Sequence, residues 1–440
     1  MSFPRYSKYK ASGVEWLGDV PEGWEAWKLT HAFEKIGSGT TPKTDIREYY
    51  DGGTNPWLNT GDLNDGKLTD CANKITSRAL SDHTTLRIYP AGSVVIAMYG
   101  ATIGKLAILK FSASVNQACC VFSGQRKIDY KFLFFWLLGY RPQIINLASG
   151  GGQPNVNQEI LRGLRIPCPD LTEQTAIAEF LDRETAKIDD LVAEQRRLME
   201  LLKEKRQAVI SHAVTKGLNP NAPMKSSGIE WLGDVPEGWE VTNIKRVATI
   251  RYGIGEPPTY YDNGTPLIRA TNVHAGEIFN EGLVFVDPIE IPEKRIVWLS
   301  AGDIIVVRSG AYTGDSAIIP AGFGPCIAGF DMVLTCRSAN PEFLQFALLS
   351  KYLKGGQIDL QKMRAAQPHL NAEELGSCFF LLPIAEEQEM IVQFLKAEVK
   401  EYAALTAESQ RAIDLLQERR TALISAAVTG QIDVRQQPRN

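Results

Sequence analysis

The residues best suited to chemistry in this 440-residue sequence are a glycine-rich turn, an Asn-Pro element and five histidines. "GATIGKL" at 100–106 has the glycines and the lysine of a phosphate-binding loop. However, only three residues separate its glycines, and no Ser or Thr follows Lys105. A partial copy of this stretch later in the chain has Asp315 at the lysine's place. The pattern therefore argues against nucleotide binding.

Other kinds of active site have no better support. "TNPWLNT" at 54–60 shares Asn-Pro and an aromatic residue with the catalytic element of adenine methyltransferases, but it lacks the second proline and a glycine-rich cofactor loop. The five histidines are scattered, with no His-Glu-x-x-His pair, and no Gly-x-Ser-x-Gly elbow occurs. We expect no catalytic residues and no metal site in this chain.

The chain repeats itself. "SGVEWLGDVPEGWE" at 12–25 returns as "SGIEWLGDVPEGWE" at 227–240, with 13 of 14 positions identical; we call these two stretches the repeated phrase. "PNVNQEILRGLRIPCPDLTEQTAIAEFL" (154–181) likewise returns as "PHLNAEELGSCFFLLPIAEEQEMIVQFL" (368–395). A period this long excludes a solenoid and predicts a duplicated domain pair. The Gly, Pro and Trp residues of the phrase are typical of a compact, aromatic-packed turn.

The repeat predicts a division of the chain into six segments. Two variable bodies alternate with shared frame segments, and we call them the first body (26–170) and the second body (241–384). The frame comprises the N-terminal phrase (1–25), a first spacer helix (171–218), a linker with the second phrase (219–240) and a second spacer helix (385–440).

The two spacer segments carry a heptad stripe. Steps of four and three residues predict helices of about 40 residues, roughly 60 Å long, that pair antiparallel along an apolar seam. The predicted seam residues are Ile177, Leu181, Ile188, Leu191, Leu198, Leu202, Val209, Ile391, Leu395, Tyr402, Leu405, Leu416 and Leu423. Such a pair would relate the two halves by a pseudo-twofold axis.

The two bodies are predicted to be β-rich with short helices. The stretches 90–109 and 300–319 each have the pattern of a strand, a glycine-bounded turn and a second strand. The predicted fold class is therefore mixed α/β, an α+β arrangement of two globular β-rich domains separated by two long antiparallel coiled-coil helices.

Composition and charge limit the possible partners. The net charge is −4, yet the first body holds 16 Lys/Arg against 11 Asp/Glu, whereas the second holds 12 against 14. A chain with this balance would not bind DNA tightly alone. The sequence contains no apolar run long enough to span a bilayer and no apolar signal core, so we expect a cytoplasmic protein. The seven cysteines are expected to be buried thiols.

The ordered motifs resemble those of a known family. They are "PDLTEQ" at 169–174, "LPIAEEQ" at 382–388, the helix endings "AVTKGL" and "AVTGQI", "AGSVVIAMYGATIGK" with "NQAC", and the repeated phrase. In this order they resemble the DNA-specificity subunit of type I restriction–modification enzymes over essentially the full length. The resemblance implies two target-recognition domains that read the two halves of a split DNA sequence, with the helices fixing the gap between them.

The resemblance also implies partners and cofactors. The family's subunit is non-catalytic and binds double-stranded DNA together with two modification subunits, which use S-adenosylmethionine to methylate adenine. Two restriction subunits join where ATP- and Mg-dependent cleavage occurs. We therefore expect no cofactor in this chain, and expect S-adenosylmethionine and ATP/Mg on the partner subunits.

Base-edge readers are expected among loop amides, hydroxyls, Arg and Lys, because these groups match the donor and acceptor patterns of the grooves. The candidates in the first body are Thr41, Lys43, Thr44, Arg47, Asn59, Thr60, Tyr99, Thr102 and Lys105. Those in the second body are Tyr260, Arg269, Thr271, Asn272, Arg308, Ser309, Tyr312, Lys362 and Arg364. Asn116 and Gln117 are interpreted instead as a structural polar cluster.

Two alternatives remain from the residues alone. The duplicated helices would also suit a coiled-coil adaptor or scaffold that binds proteins and no DNA. An enzyme of unrecognised type is the second alternative, against which the missing cofactor and nucleophile motifs count.

Overall fold

The computed structural model describes residues 3–148, 155–362 and 368–435. The chain is a mixed α/β protein with two compact units, Met1–Gln195 with Arg411–Asn440, and Arg196–Gln410. The first unit contains the first body, the N-terminal part of the first long helix and the C-terminal part of the second. The second unit contains the second body, the C-terminal part of the first long helix and the N-terminal part of the second.

The first half of the chain runs from a short hairpin through the first body to a long helix. Its strands are β1 (Tyr9–Ala11), β2 (Asp19–Pro21), β3 (Glu25–Lys28), β4 (Phe33–Gly37), β5 (Asn55–Leu58), β6 (Gly66–Leu68), β7 (Lys74–Ile75), β8 (Val94–Ala97), β9 (Leu106–Leu109), β10 (Ser114–Val115), β11 (Cys119–Gln125) and β12 (Arg165–Cys168). Its α-helices are α1 (Leu29–Ala32), α2 (Ser77–Asp82), α3 (Tyr130–Gly139), α4 (Arg141–Asn146), α5 (Gln158–Gly163) and α6 (Leu171–Lys216).

The second half repeats this order. Its strands are β13 (Met224–Ser226), β14 (Asp234–Pro236), β15 (Glu240–Asn243), β16 (Ala248–Tyr252), β17 (Thr265–Ile268), β18 (Val273–His274), β19 (Glu277–Ile278), β20 (Val284–Val286), β21 (Trp298–Leu299), β22 (Ile304–Val306), β23 (Ser316–Ile318), β24 (Cys326–Ala328), β25 (Met332–Cys336) and β26 (Phe379–Leu382). Its helices are α7 (Ile244–Val247), α8 (Pro341–Leu349), a π-helical segment (Lys351–Ile358), α9 (Asp359–Lys362), α10 (Ala372–Ser377) and α11 (Ala385–Val428).

Each body is built on two small sheets. In the first body these have the orders β4-β11-β8-β9-β6 and β10-β5-β7; in the second body the orders are β16-β25-β22-β23 and β20-β17-β24-β21. The predicted strand-turn-strand units are the antiparallel pairs β8–β9 and β22–β23. Their buried faces consist of β-branched and small residues such as Val95, Ala107, Ile305 and Ala317, which suit a strand covered on both sides.

A two-stranded ribbon closes each body. β3 pairs antiparallel with β12 in the first body, and β15 pairs antiparallel with β26 in the second. The first and the last strand of each body are therefore hydrogen-bonded neighbours, although more than 130 residues of sequence separate them. The ribbon delivers the chain directly into the long helix that follows.

The repeated phrase forms a β-hairpin in both copies. β1 pairs with β2, and β13 pairs with β14. The connecting turn is closed by Ser12 N–H donating to Gly18 O (3.0 Å) and, in the second copy, by Ser227 N–H donating to Gly233 O (3.2 Å). The turn prediction for this stretch therefore agrees with the structure.

The second tryptophan of each phrase is buried. Trp24 packs edge-on against Phe132 (ring centroids 6.5 Å apart), and Trp239 packs in the same way against Phe343 (6.3 Å). Trp239 also donates its indole N–H to Glu387 (2.9 Å). These indoles bind the phrase to the helices α3 and α8 of the bodies.

The long helices are anchored at their starts by a buried glutamine. Gln174 accepts a hydrogen bond from the N–H of Asp129 (2.7 Å) and donates to Pro169 O (2.8 Å). Gln388 makes the equivalent bonds to Asn340 N–H (2.7 Å) and Pro383 O (2.8 Å). Because Asp129 and Asn340 cap α3 and α8, the glutamines fix the helix starts on the bodies.

The two long helices run in opposite directions within each unit. α6 has 46 residues, or ~69 Å at 1.5 Å per residue. In the first unit Glu173 lies near Arg435, and Asp189, further along α6, binds Arg420, which comes earlier in the chain than Arg435. The two helices are therefore antiparallel in this unit. In the second unit Gly217 lies near Glu387, while Lys203 and Tyr402 line one groove.

The apolar seam between the long helices differs from the predicted one at three positions. Leu191, Leu198 and Leu405 are 51%, 42% and 40% exposed, so their assignment to the seam was wrong. Val192 and Ile413 are buried instead, and the seam follows Leu181, Thr185, Ile188, Val192, Gln195, Met199, Leu202 and Arg206 in α6, and Leu395, Val399, Tyr402, Thr406, Ser409, Ile413, Leu416 and Arg420 in α11. The other ten predicted residues are buried or half-buried.

The register error has a physical cause. Leu191-Val192 and Leu198-Met199 are adjacent apolar pairs, and spacing alone allows either member to face the partner helix. Polar seam residues hid the correct frame, since Thr185 donates its hydroxyl to Leu181 O (2.6 Å) and is thereby satisfied within its own helix.

The cysteines and the hydropathy of the helices bear on whether the chain has reactive thiols or membrane spans. All seven cysteines are free thiols and six are buried. Burial raises the pKa of Cys119 and of Cys120 to about 12, so these thiols stay protonated and unreactive at neutral pH. No helix in the described ranges is both long and apolar enough to cross a membrane.

Candidate nucleic-acid interface

In the first body, four loops meet at the edge where the parallel strands β5 and β10 end. Asn116 N–H donates to Leu58 O (2.9 Å), and Gly39 N–H donates to Asn116 O (3.3 Å). Met98 N–H donates to Ala118 O (2.8 Å), which adds the turn between β8 and β9. We call this surface the first loop edge, formed by loops 38–46, 59–62, 98–105 and 116–118.

The second body repeats this construction at the ends of β17 and β24. Gly329 N–H donates to Ile268 O (2.8 Å), and Gly253 N–H donates to Asp331 O (2.9 Å). Arg308 N–H donates to the Asp331 carboxylate (3.1 Å), which adds the turn between β22 and β23. The second loop edge comprises loops 253–262, 269–272, 307–315 and 329–331.

A glycine fixes the first loop of each edge. A Cβ on Gly39 would lie 1.7 Å from Val115 O, and one on Gly253 would lie 1.9 Å from Gly329 O. No side chain fits at either position, because a backbone carbonyl occupies its place. The Gly/Pro loops are therefore held tightly against the strand ends in both bodies.

The first loop edge carries most of the residues predicted in the first body. Lys43, Thr44 and Lys105 are exposed, and Thr41, Asn59, Thr60, Tyr99 and Thr102 are half-buried. Arg47 is exposed just outside the edge, at the start of a short 3₁₀ helix. The structure thus gathers eight of the nine predicted residues at the same strand ends.

Gln117 is a further candidate that the sequence interpretation placed in a structural cluster. Its carboxamide accepts a hydrogen bond from the Thr41 hydroxyl (2.6 Å), and its side chain is exposed at the centre of the first loop edge. Asn116, by contrast, accepts from Ala118 N–H (3.1 Å) and shapes the turn. The position of Gln117 directly after a short buried strand was the available signal.

The second loop edge contains a groove of about 330 Å³. Three predicted residues line it. An exposed aromatic ring and a largely buried carboxylate also line it, and the sequence interpretation missed both. The residues are Tyr260, Arg269, Ser309, Phe330 and Asp331. The groove combines cationic, hydroxyl and aromatic groups, which suits contact with bases and their stacked faces.

Arg308 lies between two aromatic rings beside this groove. Its guanidinium carbon is 4.2 Å from the Phe330 ring centroid and 4.7 Å from that of Tyr252. Its Nε is buried without a hydrogen-bond partner, and no described residue accepts a hydrogen bond from its guanidinium group. Cation–π contacts with the two rings hold the planar group, while its two Nη groups have no acceptor among the described residues and can donate to a ligand.

Phe330 and Tyr252 were missed as members of the site. Each is an exposed aromatic residue next to a glycine at the end of a strand, in Gly329-Phe330 and Tyr252-Gly253. An exposed aromatic residue at a point of close backbone approach was the signal that could have identified them.

Arg269 is less free than Arg308. It donates a hydrogen bond from Nη2 to Gly282 O (2.7 Å), and its guanidinium carbon lies 5.5 Å from the Tyr260 ring centroid. Thr271, two residues further on, is exposed.

The prediction that Asn272 reads bases is wrong. Its side chain is fully buried, donates to Phe279 O (3.1 Å) and Glu281 O (3.2 Å), and accepts from Arg269 N–H (3.2 Å). Both the amide N–H groups and the amide oxygen that would read a base are thus already hydrogen-bonded within the chain. Asn272 therefore shapes the loop that presents Arg269 and Thr271.

The remaining predicted residues lie around the second loop edge or beyond it. Tyr312 is exposed on the turn after Arg308, with its ring centroid 6.2 Å from that of His274. Lys362 ends α9, and Arg364 lies outside the described residues.

Asp315 holds the turn that carries Arg308 and Tyr312. It accepts a hydrogen bond from His274 Nδ1 (2.7 Å) and forms an ion pair with Lys354. Burial acts to raise the pKa of Asp315, but the hydrogen bonds from Lys354 and His274 outweigh it and lower the pKa below its ordinary value. Asp315 is thus an anionic anchor for the turn.

Asp331 carries a perturbed carboxyl group beneath Arg308. Burial raises its pKa to about 6, against the opposing effects of the Arg308 backbone N–H and charge. Its side chain is 2% exposed. The carboxyl thus titrates below neutral pH in direct contact with the residue best placed to bind a ligand.

Replacing Asp331 by asparagine is expected to remove part of the pH dependence of stability. Asp331 binds its proton more readily in the folded chain than in the unfolded one, so its stabilising contribution is present below about pH 4 and lost as the pH rises through about 6. Between pH 4.5 and 7.5 the wild type should lose on the order of 2 kcal/mol relative to the variant. Unfolding midpoints measured between pH 4.5 and 7.5 would check this.

The control for this prediction is Asp262→Asn, which changes an exposed carboxylate. This control should follow the wild-type pH profile. Identical profiles for the wild type and Asp331→Asn would contradict the role assigned to Asp331.

Metal binding finds no support in the described ranges, where no group of three His, Cys, Asp or Glu side chains is placed to hold an ion.

Comparisons with solved structures identify the fold. The chain superposes with a TM-score of 0.71 on a structure titled as the basis of complex assembly and conformational transition of the type I R-M system, at 18% identity, covering 93% of this chain and 98% of that one. It superposes with a TM-score of 0.53 on the HsdS subunit from Thermoanaerobacter tengcongensis, at 19% identity and 94% and 98% coverage. At these identities the similarity concerns the fold alone.

Sequence comparisons find related proteins over most of the chain. The MjaVIII specificity subunit of Methanocaldococcus jannaschii, a type I restriction enzyme component, is 25% identical over 387 residues, which is 86% of each protein. The EcoKI specificity subunit of Escherichia coli K12 is 24% identical over 392 residues, 86% of this chain and 82% of the relative.

The family match falls twice on the chain. Residues 21–199 and 236–414 each match the type I restriction modification DNA specificity domain. The two matched stretches contain the two bodies with their loop edges and most of both long helices. The chain belongs to the family of type I restriction–modification DNA specificity proteins, and it carries the family's domain twice.

Proposed function

We propose that this chain is the DNA-reading subunit of a type I restriction–modification system. Each loop edge reads one half of a split double-stranded DNA target, and the long helices set the number of unread base pairs between the halves. The observation that carries the proposal is the repetition of one loop-edge backbone with different side chains. Hydroxyl and amide groups such as Thr41, Asn59 and Gln117 occur on the first edge, whereas Arg269, Arg308 and Phe330 occur on the second.

The chemistry of the two edges suits two different half-sites. Side-chain amides favour adenine, and hydroxyls can bond to donors or acceptors on any base. An arginine with free donors favours the two acceptors of guanine.

Two backbone bonds recur in both edges. The bond from Asn116 N–H to Leu58 O corresponds to that from Gly329 N–H to Ile268 O, and the turn bond from Gly104 N–H to Ala97 O corresponds to that from Gly314 N–H to Val307 O. The frame is therefore shared, whereas the reading groups differ.

We further propose that partner subunits supply catalysis and most phosphate contacts. The net charge of −4 gives this chain little attraction for DNA, so tight binding requires basic partners. These partners would be two modification subunits that use S-adenosylmethionine, and two restriction subunits that use ATP and Mg where cleavage occurs. The names of the relatives, specificity subunits of type I restriction enzymes, support partner subunits of this kind. The complex would act in the cytoplasm. Nothing in the fold favours a coiled-coil adaptor instead.

Co-expression of this chain with its modification subunits tests the proposal. Methylated adenines, mapped by long-read sequencing, should fall in one bipartite motif with a fixed gap, because two edges read it. The isolated chain should methylate nothing. A complex whose salt-dependent DNA binding shows no sequence preference would contradict the proposal and support the adaptor.

A further inference from the structure

The repeated phrase is preserved far beyond its surroundings. Thirteen of its 14 positions are identical between residues 12–25 and 227–240. At the same offset, none of the 11 following positions is identical, and only one of the eight preceding positions is. The identity therefore covers the hairpin turn, the second strand of the hairpin and the buried tryptophan, and it stops at their boundaries.

The fold accounts for part of this identity. Val20, Pro21 and Trp24 are buried, as are their counterparts Val235, Pro236 and Trp239. Gly13 and Gly18 have φ of 71° and 65°, where a Cβ is strained, and the second copy has the same geometry. Packing and turn geometry thus require these positions to match.

A second set of identical residues is exposed and has no such requirement. Trp16 is 47% exposed and Trp231 is 51% exposed. The same phrase carries four exposed carboxylates in each copy and no Lys or Arg. We call each set an acidic tryptophan face: Glu15, Trp16, Asp19, Glu22 and Glu25 in the first copy, and Glu230, Trp231, Asp234, Glu237 and Glu240 in the second.

Contacts within the chain explain these residues poorly. Glu22 lies 3.8 Å from Lys8, with both side chains exposed, so the pair contributes little. Trp16 packs one side against Trp136 and Tyr140 (ring centroids 5.9 and 5.6 Å), which leaves about half of the indole in solvent. Trp136 and Tyr140 belong to the first body, yet the tryptophan itself is unchanged in the second copy.

We infer that the two acidic tryptophan faces are docking sites for two copies of one protein partner. Two identical surfaces fit one partner twice, whereas surfaces that read different half-sites would differ. Four carboxylates repel phosphates, so the partner is a protein and not DNA. It presents an apolar slot for the indole with Lys or Arg around it, the arrangement in which a tryptophan contributes most to binding. Resting on the proposed function, we assign this partner as the modification subunit.

Trp16→Ala and Trp231→Ala test the assignment in the complete complex with the modification subunits. Each single variant should weaken one docking site by about 10- to 100-fold, and the double variant should weaken both. Native mass spectrometry should then show complexes with one modification subunit for each single variant and free chain for the double variant. Trp298→Ala, which removes a tryptophan exposed to a similar extent (46%) outside the phrase, should assemble like the wild type.

Charge reversal provides a variant that leaves the indole packing intact. Glu15→Lys with Asp19→Lys, and Glu230→Lys with Asp234→Lys, should reproduce the loss of partner copies with unchanged thermal unfolding. Wild-type assembly of the charge-reversed chains, or equal loss in Trp298→Ala, would overturn the inference.

The methylation pattern separates this inference from the proposed function. A wild-type complex that methylates a bipartite motif, with variants that still assemble normally, refutes only the docking site. A wild-type complex that assembles through the two faces but methylates no bipartite motif refutes the proposed function and leaves the docking site in place.

Discussion

Replacing Arg308 by alanine is expected to relax recognition of the half-site read by the second body and to leave the other half-site unchanged. The guanidinium is held between Phe330 and Tyr252 and has no acceptor among the described residues. If it forms a bidentate contact with a base, its loss should cost ~1–3 kcal/mol of discrimination at one position. The methylated motif of the variant complex would show that position as degenerate.

Two further variants make this result specific. Arg308→Lys keeps the charge but loses the planar fork, so it should relax the same position nearly as much. Arg295→Ala removes an exposed arginine that is paired with Glu256 and should leave the motif unchanged. A uniform loss of binding on all DNA sequences after Arg308→Ala would identify a phosphate contact and refute base reading.

Insertion of one heptad into both long helices is expected to lengthen the gap between the half-sites without changing either of them. The insertions belong between Gln195 and Arg196 in α6, and between Gln410 and Arg411 in α11, where one compact unit gives way to the other. Seven residues add ~10 Å, or about three base pairs at 3.4 Å each, and a whole heptad keeps the seam in register. Methylome sequencing would read the new gap directly.

The matched control changes the same region without changing its length. Leu198→Glu alters an exposed position of α6, so the gap should stay as in the wild type. An unchanged gap in the insertion variant, or an altered half-site, would contradict the spacer role proposed for the helices.

The sequence predicted the frame well because the frame is repeated. Two occurrences of the same motif reveal which residues the fold requires, and Gln174 and Gln388 are examples: both are buried and make the same two bonds. The strand-turn-strand units at 90–109 and 300–319 were predictable for the same reason, since their glycines recur at equal spacing.

The seam register was not predictable from spacing. Val192 faces the partner helix, although Leu191 is the larger apolar residue, because Thr185 occupies the seam one heptad, or about two turns, earlier. A polar residue whose hydroxyl bonds to its own helix can occupy a seam at little cost, and hydrophobic periodicity does not register it.

The loop edges were predictable by position and less so by residue. Amide and hydroxyl types selected Asn272, which the fold uses entirely for its own backbone. The same criterion passed over Phe330, whose ring supports Arg308 from the side. Such assignments depend on which loops converge, and convergence arises from pairing between strands distant in sequence.

The ribbons β3–β12 and β15–β26 bear on how such a protein changes over generations. An antiparallel ladder holds the entry and exit of each body about 5 Å apart, whatever lies between them. A recombination event that replaces everything inside one ribbon therefore keeps the frame closed, provided that two short strands still pair. New specificities can thus be inherited as whole interchangeable modules, while single substitutions on a loop edge adjust them afterwards.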